Sequence, residues 1–188
     1  MIKKENLKEA KKIYLTGIMS DFPSDERMPY SRYKTAIKNK TMSAYSFYIN
    51  NKRQGYFITK EEKKIVFIVY LAISKNSRNS GYGSQMIKEI IDYFKNNQYI
   101  IIEVEADDGN KDEKSLKIIE KRNNFYYRNG FEKLSDINYK LFGVKYDLLV
   151  YRMNIKEVKI HEAINQMKSF YKNIAKNTNF FTIDIKWY

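Results

Sequence analysis

The sequence has no cysteine, a single histidine, two prolines and only seven glycines among its 188 residues. The lack of cysteine excludes disulfide bonds and thiolate metal sites, and one histidine argues against a histidine-based catalytic metal centre. No apolar run approaches the roughly 20 residues that cross a bilayer. The basic N-terminal stretch MIKKENLKEAKK also lacks the apolar segment of a secretory signal. These absences predict a cytoplasmic protein with metal-free chemistry and no membrane partner.

Aromatic residues, by contrast, are abundant. The chain carries 17 tyrosines and 11 phenylalanines, and 43% of its residues are hydrophobic. This content is enough to bury one sizeable core and is too rich in aromatics for a disordered chain. We therefore expect one folded domain.

Basic residues outnumber acidic residues by 35 to 22, which gives a formal net charge of +13. Such an excess suits a polyanion, so a basic nucleic-acid-binding protein is one alternative. However, the lysines are scattered over the whole chain, whereas surfaces that follow phosphates usually gather arginine and lysine into clusters. The scatter disfavours nucleic acid as the partner.

Hydrophobic periodicity in the first half predicts helices followed by strands. Residues 5–20 and the segment YSRYKTAIKN have helical spacing, and they flank DFPSDERMP, which contains both prolines. Three predicted strands follow, in AYSFYIN, QGYFITK and KIVFIVYLAI. The third is apolar on both faces, as expected for a strand in the middle of a sheet that is covered on both sides.

The second half continues the alternation. A helix is predicted after the third strand. Its apolar face consists of Met86, Ile87, Ile90, Ile91 and Phe94. The strand YIIIEVEA, a helix over about residues 114–129 that stops at Gly130, and the strands FEKL and YDLLVYRM come next. Strand, helix and strand in this order predict a parallel right-handed crossover. The fold class is thus α/β with a mixed sheet. A further helix is predicted near the C-terminus from Val158, Ile160, Ile164, Met167, Tyr171 and Ile174.

The turn SRNSGYGS lies between the third strand and the following helix. Unpaired amides and the helix dipole make such a helix start a site for an anion. Gly81 and Gly83 allow the backbone to approach the anion closely, and Arg78 adds a positive charge. The turn is not a Walker loop, because no Gly-Lys-Ser/Thr follows, and Met86 replaces the third glycine of the dinucleotide fingerprint. The predicted ligand is a phosphate-containing molecule other than a nucleoside triphosphate or NAD.

Three segments resemble the GNAT superfamily of acyl-CoA-dependent N-acyltransferases. Residues 78–83, RNSGYG, are similar to its R/Q-x-x-G-x-G/A signature, residues 125–131, FYYRNGF, to its FYxxxGF segment, and residues 102–104, IEV, to its LEV strand. They come in family order over roughly residues 65–135. The resemblance implies a mixed, centrally splayed β-sheet flanked by helices, with a C-terminal helical extension. It also implies a GNAT-like acyltransferase domain over residues 1–154, with residues 155–188 as a C-terminal helix and tail packed on the same domain.

The resemblance further implies that acetyl-CoA (coenzyme A) is the cosubstrate. Its pyrophosphate would lie on the amides of the turn residues Arg78, Asn79, Ser80, Gly81, Tyr82, Gly83 and Ser84. The pantetheine arm would pair with the strand end formed by Leu71, Ala72 and Ile73, near N–H groups that stabilise an oxyanion. A primary amine of a small molecule or peptide would attack the thioester directly in a ternary complex. The alternative is a non-catalytic acyl-CoA-binding module of the same fold, and a homodimer stays open.

Two residues are the predicted catalytic groups. Tyr126 stands four residues before Gly130, where the family has its general acid, and a phenol suits a thiolate of similar basicity. A core aromatic is the structural alternative for Tyr126, and Tyr127 is the alternative donor. Glu103 is the predicted base, since alternation places it on one face with Glu105, and paired carboxylates can have raised pKa values. Glu105 or an ordered water is the alternative base.

The sequence also departs from the family pattern. Ile119 stands where relatives usually place an asparagine, and the strand IVFIVYLAI has no carboxylate of its own. The lone His161 receives no role. Acidic residues flank the loop that lines the acceptor side in this family, and they are either helix caps or a rim for a cationic amine. These are Asp21, Asp25 and Glu26.

Overall fold

The computed structural model of the chain describes residues 1–62, 64–141, 144–153, 165, 167, 169, 186 and 187. Its contacts divide the chain into two compact units, residues 1–97 and residues 98–188. The first unit contains, in chain order, β1 (Ile2–Lys4), α1 (Leu7–Ile13), a π-helical turn (Tyr14–Ile18), α2 (Met19–Asp21), a 3₁₀ turn (Ser24–Glu26), α3 (Tyr30–Lys38), β2 (Ser43–Ile49), β3 (Lys52–Glu62), β4 (Ile65–Ile73), a second 3₁₀ turn (Lys75–Ser77) and α4 (Tyr82–Tyr93).

The strands of the first unit pair in the order β1, β2, β3 and β4, and each pair is antiparallel. Ile49 pairs with Lys52 across the two-residue turn Asn50–Asn51. Both asparagines have positive φ, 48° and 59°, which asparagine tolerates better than most residues and which suits the twist of a tight hairpin. The first two predicted strands therefore form a β-hairpin.

Strand β4 changes character along its length. Its first four residues are buried, and from Val69 onward half-buried and buried side chains alternate. Ile68 pairs with Thr59 and Tyr70 with Ile58, so Val69 is an extra residue that forms a β-bulge. After the bulge, Val69, Leu71 and Ile73 share the less covered face. The prediction of a strand covered on both faces holds for the first half of β4 only.

The predicted helix over residues 5–20 is observed as continuous helical structure from Leu7 to Asp21. It begins at Asn6, whose side chain accepts a hydrogen bond from the Glu9 N–H at 3.0 Å. Its inner face buries Ala10, Ile13 and Ile18 completely. The helical segment and the strands of this unit thus share one apolar core.

The second unit contains β5 (Tyr99–Glu105), α5 (Glu113–Arg128), β6 (Glu132–Leu141), β7 (Val144–Arg152) and β8 (Lys186–Trp187). β7 pairs with β5 and β6, and β6 pairs with β8, in each case antiparallel. The Asp112 side chain caps α5 by accepting a hydrogen bond from the Ser115 N–H at 2.7 Å. After α5, Gly130 has φ 85°, as predicted for a residue that ends a helix.

Helices and strands alternate along the chain, which confirms the predicted α/β class. Of the predicted C-terminal helix, the structure describes Asn165, Met167 and Ser169, which are helical, and Met167 is buried. The other apolar positions of that prediction, and His161, lie outside the described residues. The domain division at residue 154 stays a prediction. Within the part of the chain that the structure describes, no helix is both long and apolar enough to cross a membrane.

Candidate active site

The N-terminus of α4 is open. Gly81 is its N-cap residue, with φ 77° and no side-chain cap, and a Cβ built there meets no atom within 4 Å. The first intrahelical hydrogen bond of α4 runs from the Gln85 N–H to the Gly81 carbonyl at 3.2 Å. The amides of the first turn precede this bond, so they have no acceptor within the helix. An anion fits this helix start, because partly positive N–H groups meet open space there.

Gly55 and Gln54 of β3 fix the end of β4, which leads into the turn at residues 78–84. A Cβ at Gly55 of β3 would lie 2.8 Å from the carbonyl oxygen of Ala72 and 3.1 Å from the sulfur of Met86. Only glycine therefore allows β3, β4 and α4 to approach so closely. Gln54 accepts a main-chain hydrogen bond from Ser74 at 2.8 Å and a side-chain hydrogen bond from Ser77. The turn consequently starts from a rigid base.

Arg78 points to a carboxylate of the protein. Its Nη2 lies 2.9 Å from Oδ1 of Asp21, and its Nε donates to the carbonyl of Ile73 at 3.2 Å. Oδ2 of Asp21 accepts a hydrogen bond from the Tyr56 hydroxyl at 3.1 Å. Burial, and then the negative charge of Asp21, raise the pKa of the Tyr56 phenol. Asp21 is thus neither a helix cap nor an exposed rim carboxylate.

Tyrosines hold the loop between α2 and α3. The Tyr70 hydroxyl accepts a hydrogen bond from the Met28 N–H at 2.8 Å and donates to the Glu26 carbonyl at 3.0 Å. The Tyr14 hydroxyl donates to the Met28 carbonyl at 2.7 Å, and burial raises the pKa of this phenol. The ring of Phe22 meets that of Tyr70 edge-on at 4.9 Å. The loop flanked by the predicted acidic residues is therefore fixed to β4; the side chain of Asp25 lies outside the described residues.

Tyr126 lies in the second unit, on the inner face of α5, and only 6% of it is exposed. Its ring makes edge-on contacts with Phe125 at 5.1 Å and with Phe131 at 5.6 Å. Burial raises the pKa of its phenol to about 12, and the nearby Arg122 opposes this rise. Its hydroxyl makes no hydrogen bond to any residue that the structure describes. The neighbouring Tyr127 is 41% exposed.

The two glutamates of β5 differ in their surroundings. Glu105 accepts from the Lys111 ammonium at 2.6 Å and lies 3.7 Å from Nη1 of Arg122. This hydrogen bond raises the pKa of Lys111. Because Arg122 belongs to α5, the ion pair shows that α5 covers the face of β5 to which Glu103 and Glu105 both point. Glu103 is half-buried on that face, and Tyr126 is one helical turn beyond Arg122 on α5.

Two polar groups have surroundings that the sequence analysis did not predict. The carboxylate of Asp21 joins Arg78 to Tyr56, and the Oδ1 atom of Asn123 is buried on α5 with no hydrogen-bond partner among the described residues. Asn123 lies one turn before Tyr126 on α5. A polar side chain one helical turn before Tyr126 was the signal that the sequence contained.

Comparisons with known proteins identify the family of this chain. The model of the acetyltransferase (GNAT) family matches residues 10–131. A Bacillus subtilis (strain 168) protein named "Putative acetyltransferase YjbC" is 25% identical over 173 residues, which cover 89% of this chain and 81% of that protein.

Solved structures show the same fold. One described as "Putative acetyltransferase from GNAT family from Bacteroides thetaiotaomicron" has a TM-score of 0.72 at 16% identity and covers 89% of this chain and 94% of its own. A Bacillus subtilis acetyltransferase solved in complex with CoA has a TM-score of 0.54 at 16% identity. The match covers 81% of this chain and 98% of that protein. The predicted resemblance is confirmed. The chain belongs to the GNAT family and is an acyl-CoA-dependent acetyltransferase.

Proposed function

We propose that the chain moves an acetyl group from acetyl-CoA to a primary amine of a small-molecule or peptide acceptor, by direct attack of the amine in a ternary complex. The open N-terminus of α4 carries this proposal. Its uncapped amides and the left-handed Gly81 provide what a pyrophosphate requires, namely N–H donors and room for close approach. The amides of residues 78–84 would hold the pyrophosphate.

The end of β4 suits the pantetheine arm. Leu71 and Ile73 are half-buried on one face, whereas Ala72 is buried between them. An extended ligand that lies along such a strand end gains apolar contacts with the half-buried side chains and hydrogen bonds with the main chain.

Acetyl-CoA supplies the thioester when it is bound, so the protein has to position groups and move protons. We assign to Tyr126 the donation of a proton to the departing thiolate. With a pKa near 12, its phenol keeps its proton at neutral pH. A phenol of this pKa is a weak acid, but the burial that weakens it also raises the pKa of a thiol in the same surroundings, which keeps the two groups matched.

We assign to Glu103 the acceptance of the amine proton. The charge of Glu105, on the same strand face, is compensated by Lys111 and Arg122. Glu105 thus has a structural role in holding Lys111 and α5 to β5, and we assign the proton to the other glutamate of this face. Glu105 or an ordered water remains the alternative acceptor of the proton.

An assay of acetyl-CoA with a panel of amines tests the proposal. The panel should contain amino acids, polyamines, aromatic monoamines and a peptide with free α- and ε-amines, and the released thiol is measured. We expect thiol release that requires both the protein and one class of amine. CoA binding without thiol release for any amine would indicate a non-catalytic acyl-CoA-binding module. Salt-sensitive binding of nucleic acid without any response to CoA would overturn the proposal.

A further inference from the structure

We propose that Arg78 is a positioning residue: it fixes the anion-binding turn (residues 78–84) through Asp21 and thereby links this turn to the loop at residues 22–29. The proposal rests on the proposed function only for what each segment binds, CoA at the turn and the amine at the loop. It assigns to Arg78 a role other than the direct phosphate contact that its sequence position suggests.

The carboxylate of Asp21 is the centre of this link. Its two oxygens have different donors, Arg78 at 2.9 Å and the Tyr56 hydroxyl at 3.1 Å, and its side chain is only 7% exposed. A buried carboxylate of this kind is expensive to leave unpaired, because it loses water without gaining a compensating cation. Asp21 therefore retains the Arg78 guanidinium, whose side chain is 48% exposed, as its counter-ion.

Arg78 is held from two directions. Besides the ion pair, its Nε donates to the carbonyl of Ile73, the last residue of β4, at 3.2 Å. A guanidinium is planar, so acceptors on two of its nitrogens define its orientation. Arg78 thus ties the start of the turn both to the strand end and to the end of α2.

Packing extends the link to the acceptor-side loop. Phe22 follows Asp21 in the chain, and its ring meets Tyr70, which holds Met28 and Glu26 by hydrogen bonds. On the other side, Gly17 leaves room for the Tyr56 ring, since a Cβ there would lie 2.5 Å from Cε1 of Tyr56. A displacement of Asp21 would therefore disturb both the turn and the loop.

A double-mutant cycle with Asp21→Asn and Arg78→Gln tests the proposal. Asp21→Asn keeps the size of the side chain and every group that could touch a phosphate. We expect each single variant to weaken CoA binding and to raise the KM for the amine by about fivefold or more, while kcat at saturation changes little. The double variant should be no worse than the worse single variant, because all three lose the same link. Lys75→Gln, which removes an exposed charge from the 3₁₀ turn just before residues 78–84, is the control and should match the wild type.

Opposite effects of the two single variants on CoA binding would overturn the proposal. If Arg78 holds the phosphate itself, Asp21→Asn frees the guanidinium and tightens CoA binding, whereas Arg78→Gln weakens it. Unchanged CoA binding and KM in both variants would also overturn it. Tyr56→Phe, which removes one hydroxyl and retains the ring, replaces Asp21→Asn if that variant does not fold, with the same expected direction. If the wild type acetylates no amine, the proposed function fails, but the CoA-binding arm of the cycle still decides the role of Arg78.

Discussion

The hydroxyl of Tyr70 on β4 accepts a hydrogen bond from the buried main-chain N–H of Met28 at 2.8 Å. This relationship joins β4 to a loop that is 42 residues earlier in the chain. Because the same hydroxyl also donates to the Glu26 carbonyl at 3.0 Å, this side chain anchors the acceptor-side loop at two points.

Replacing Tyr70 by phenylalanine should therefore destabilise the fold and weaken acceptor binding. The buried Met28 N–H would lose its acceptor, a loss that typically costs about 1–3 kcal/mol of unfolding free energy. Denaturant unfolding and the KM for the amine measure the two effects. Tyr93→Phe, at a residue that is 48% exposed, provides the control. Equal unfolding free energies for the two variants would show that the Tyr70 hydroxyl does not hold the loop.

Tyr126→Phe should lower kcat and kcat/KM together and leave CoA binding intact. The substitution keeps the ring in its contacts with Phe125 and Phe131 and removes only the proton donor. General acid catalysis typically contributes about 10²–10⁴-fold, which is easy to distinguish from a packing defect. Steady-state kinetics of Tyr127→Phe should be measured in parallel. Near-normal turnover by Tyr126→Phe would assign the donor role to Tyr127 or to solvent.

Glu103→Gln should reduce the rate most at neutral pH. A base is needed there because the amine is largely protonated, and the need disappears as the pH approaches the pKa of the amine itself. The rate of the variant should thus recover towards that of the wild type in the alkaline arm of the pH profile. Glu105→Gln, on the same strand face, separates the two carboxylates. A deficit that stays constant with pH, or that appears only in Glu105→Gln, would refute the role of Glu103.

Alkaline pH should destabilise the protein through its buried phenols. Burial raises the pKa of Tyr126 to about 12, from an ordinary value of 10.0. Below pH 10 both the folded and the unfolded chain keep this proton. Between about pH 10 and 12 the unfolded chain loses it first, so the free energy of unfolding falls by up to about 1.4 kcal/mol per pH unit for this group.

The comparison of wild type with Tyr126→Phe isolates that contribution. Burial also raises the pKa values of Tyr33, Tyr45 and Tyr56, so the variant should lose stability more slowly than the wild type but still lose it. Chemical denaturation at a series of alkaline pH values provides the data. Parallel curves for the two proteins would show that Tyr126 ionises as freely in the folded state as in the unfolded one.

The anion-binding turn was predictable because its signals are local. Glycines, a preceding apolar strand and a following amphipathic pattern all lie within a few residues of Gly81, and they reflect the conformation that this turn adopts. The same holds for Asp112 and Gly130, which begin and end α5. Such elements depend on properties of neighbouring residues, which a single sequence contains.

Long-range pairings were not predictable in this way. Asp21 and Arg78 are 57 residues apart, and no periodicity relates them. Strands β1 and β8 were also not predicted, since they have three and two residues and no alternation of their own. Similarly, the pairing of Glu105 with Lys111 and Arg122 depends on how α5 packs on β5. Alternation along the strand predicted that Glu103 and Glu105 share a face, but it did not predict the ion pairs of Glu105.

The central claim is that the N-terminus of α4 holds the pyrophosphate of CoA. The most direct test measures how CoA changes the melting temperatures of the wild type, Gly81→Glu and Gly109→Glu. Both glycines have positive φ, 77° and 84°, and a Cβ at either position meets no atom within 4 Å, so backbone strain in the two variants is matched. CoA should raise the melting temperature of the wild type and of Gly109→Glu alike, because a ligand that binds only the folded state stabilises it by mass action. It should leave folded Gly81→Glu unaffected, since the carboxylate adds bulk and negative charge where the pyrophosphate binds. An undiminished CoA response in Gly81→Glu would contradict the account.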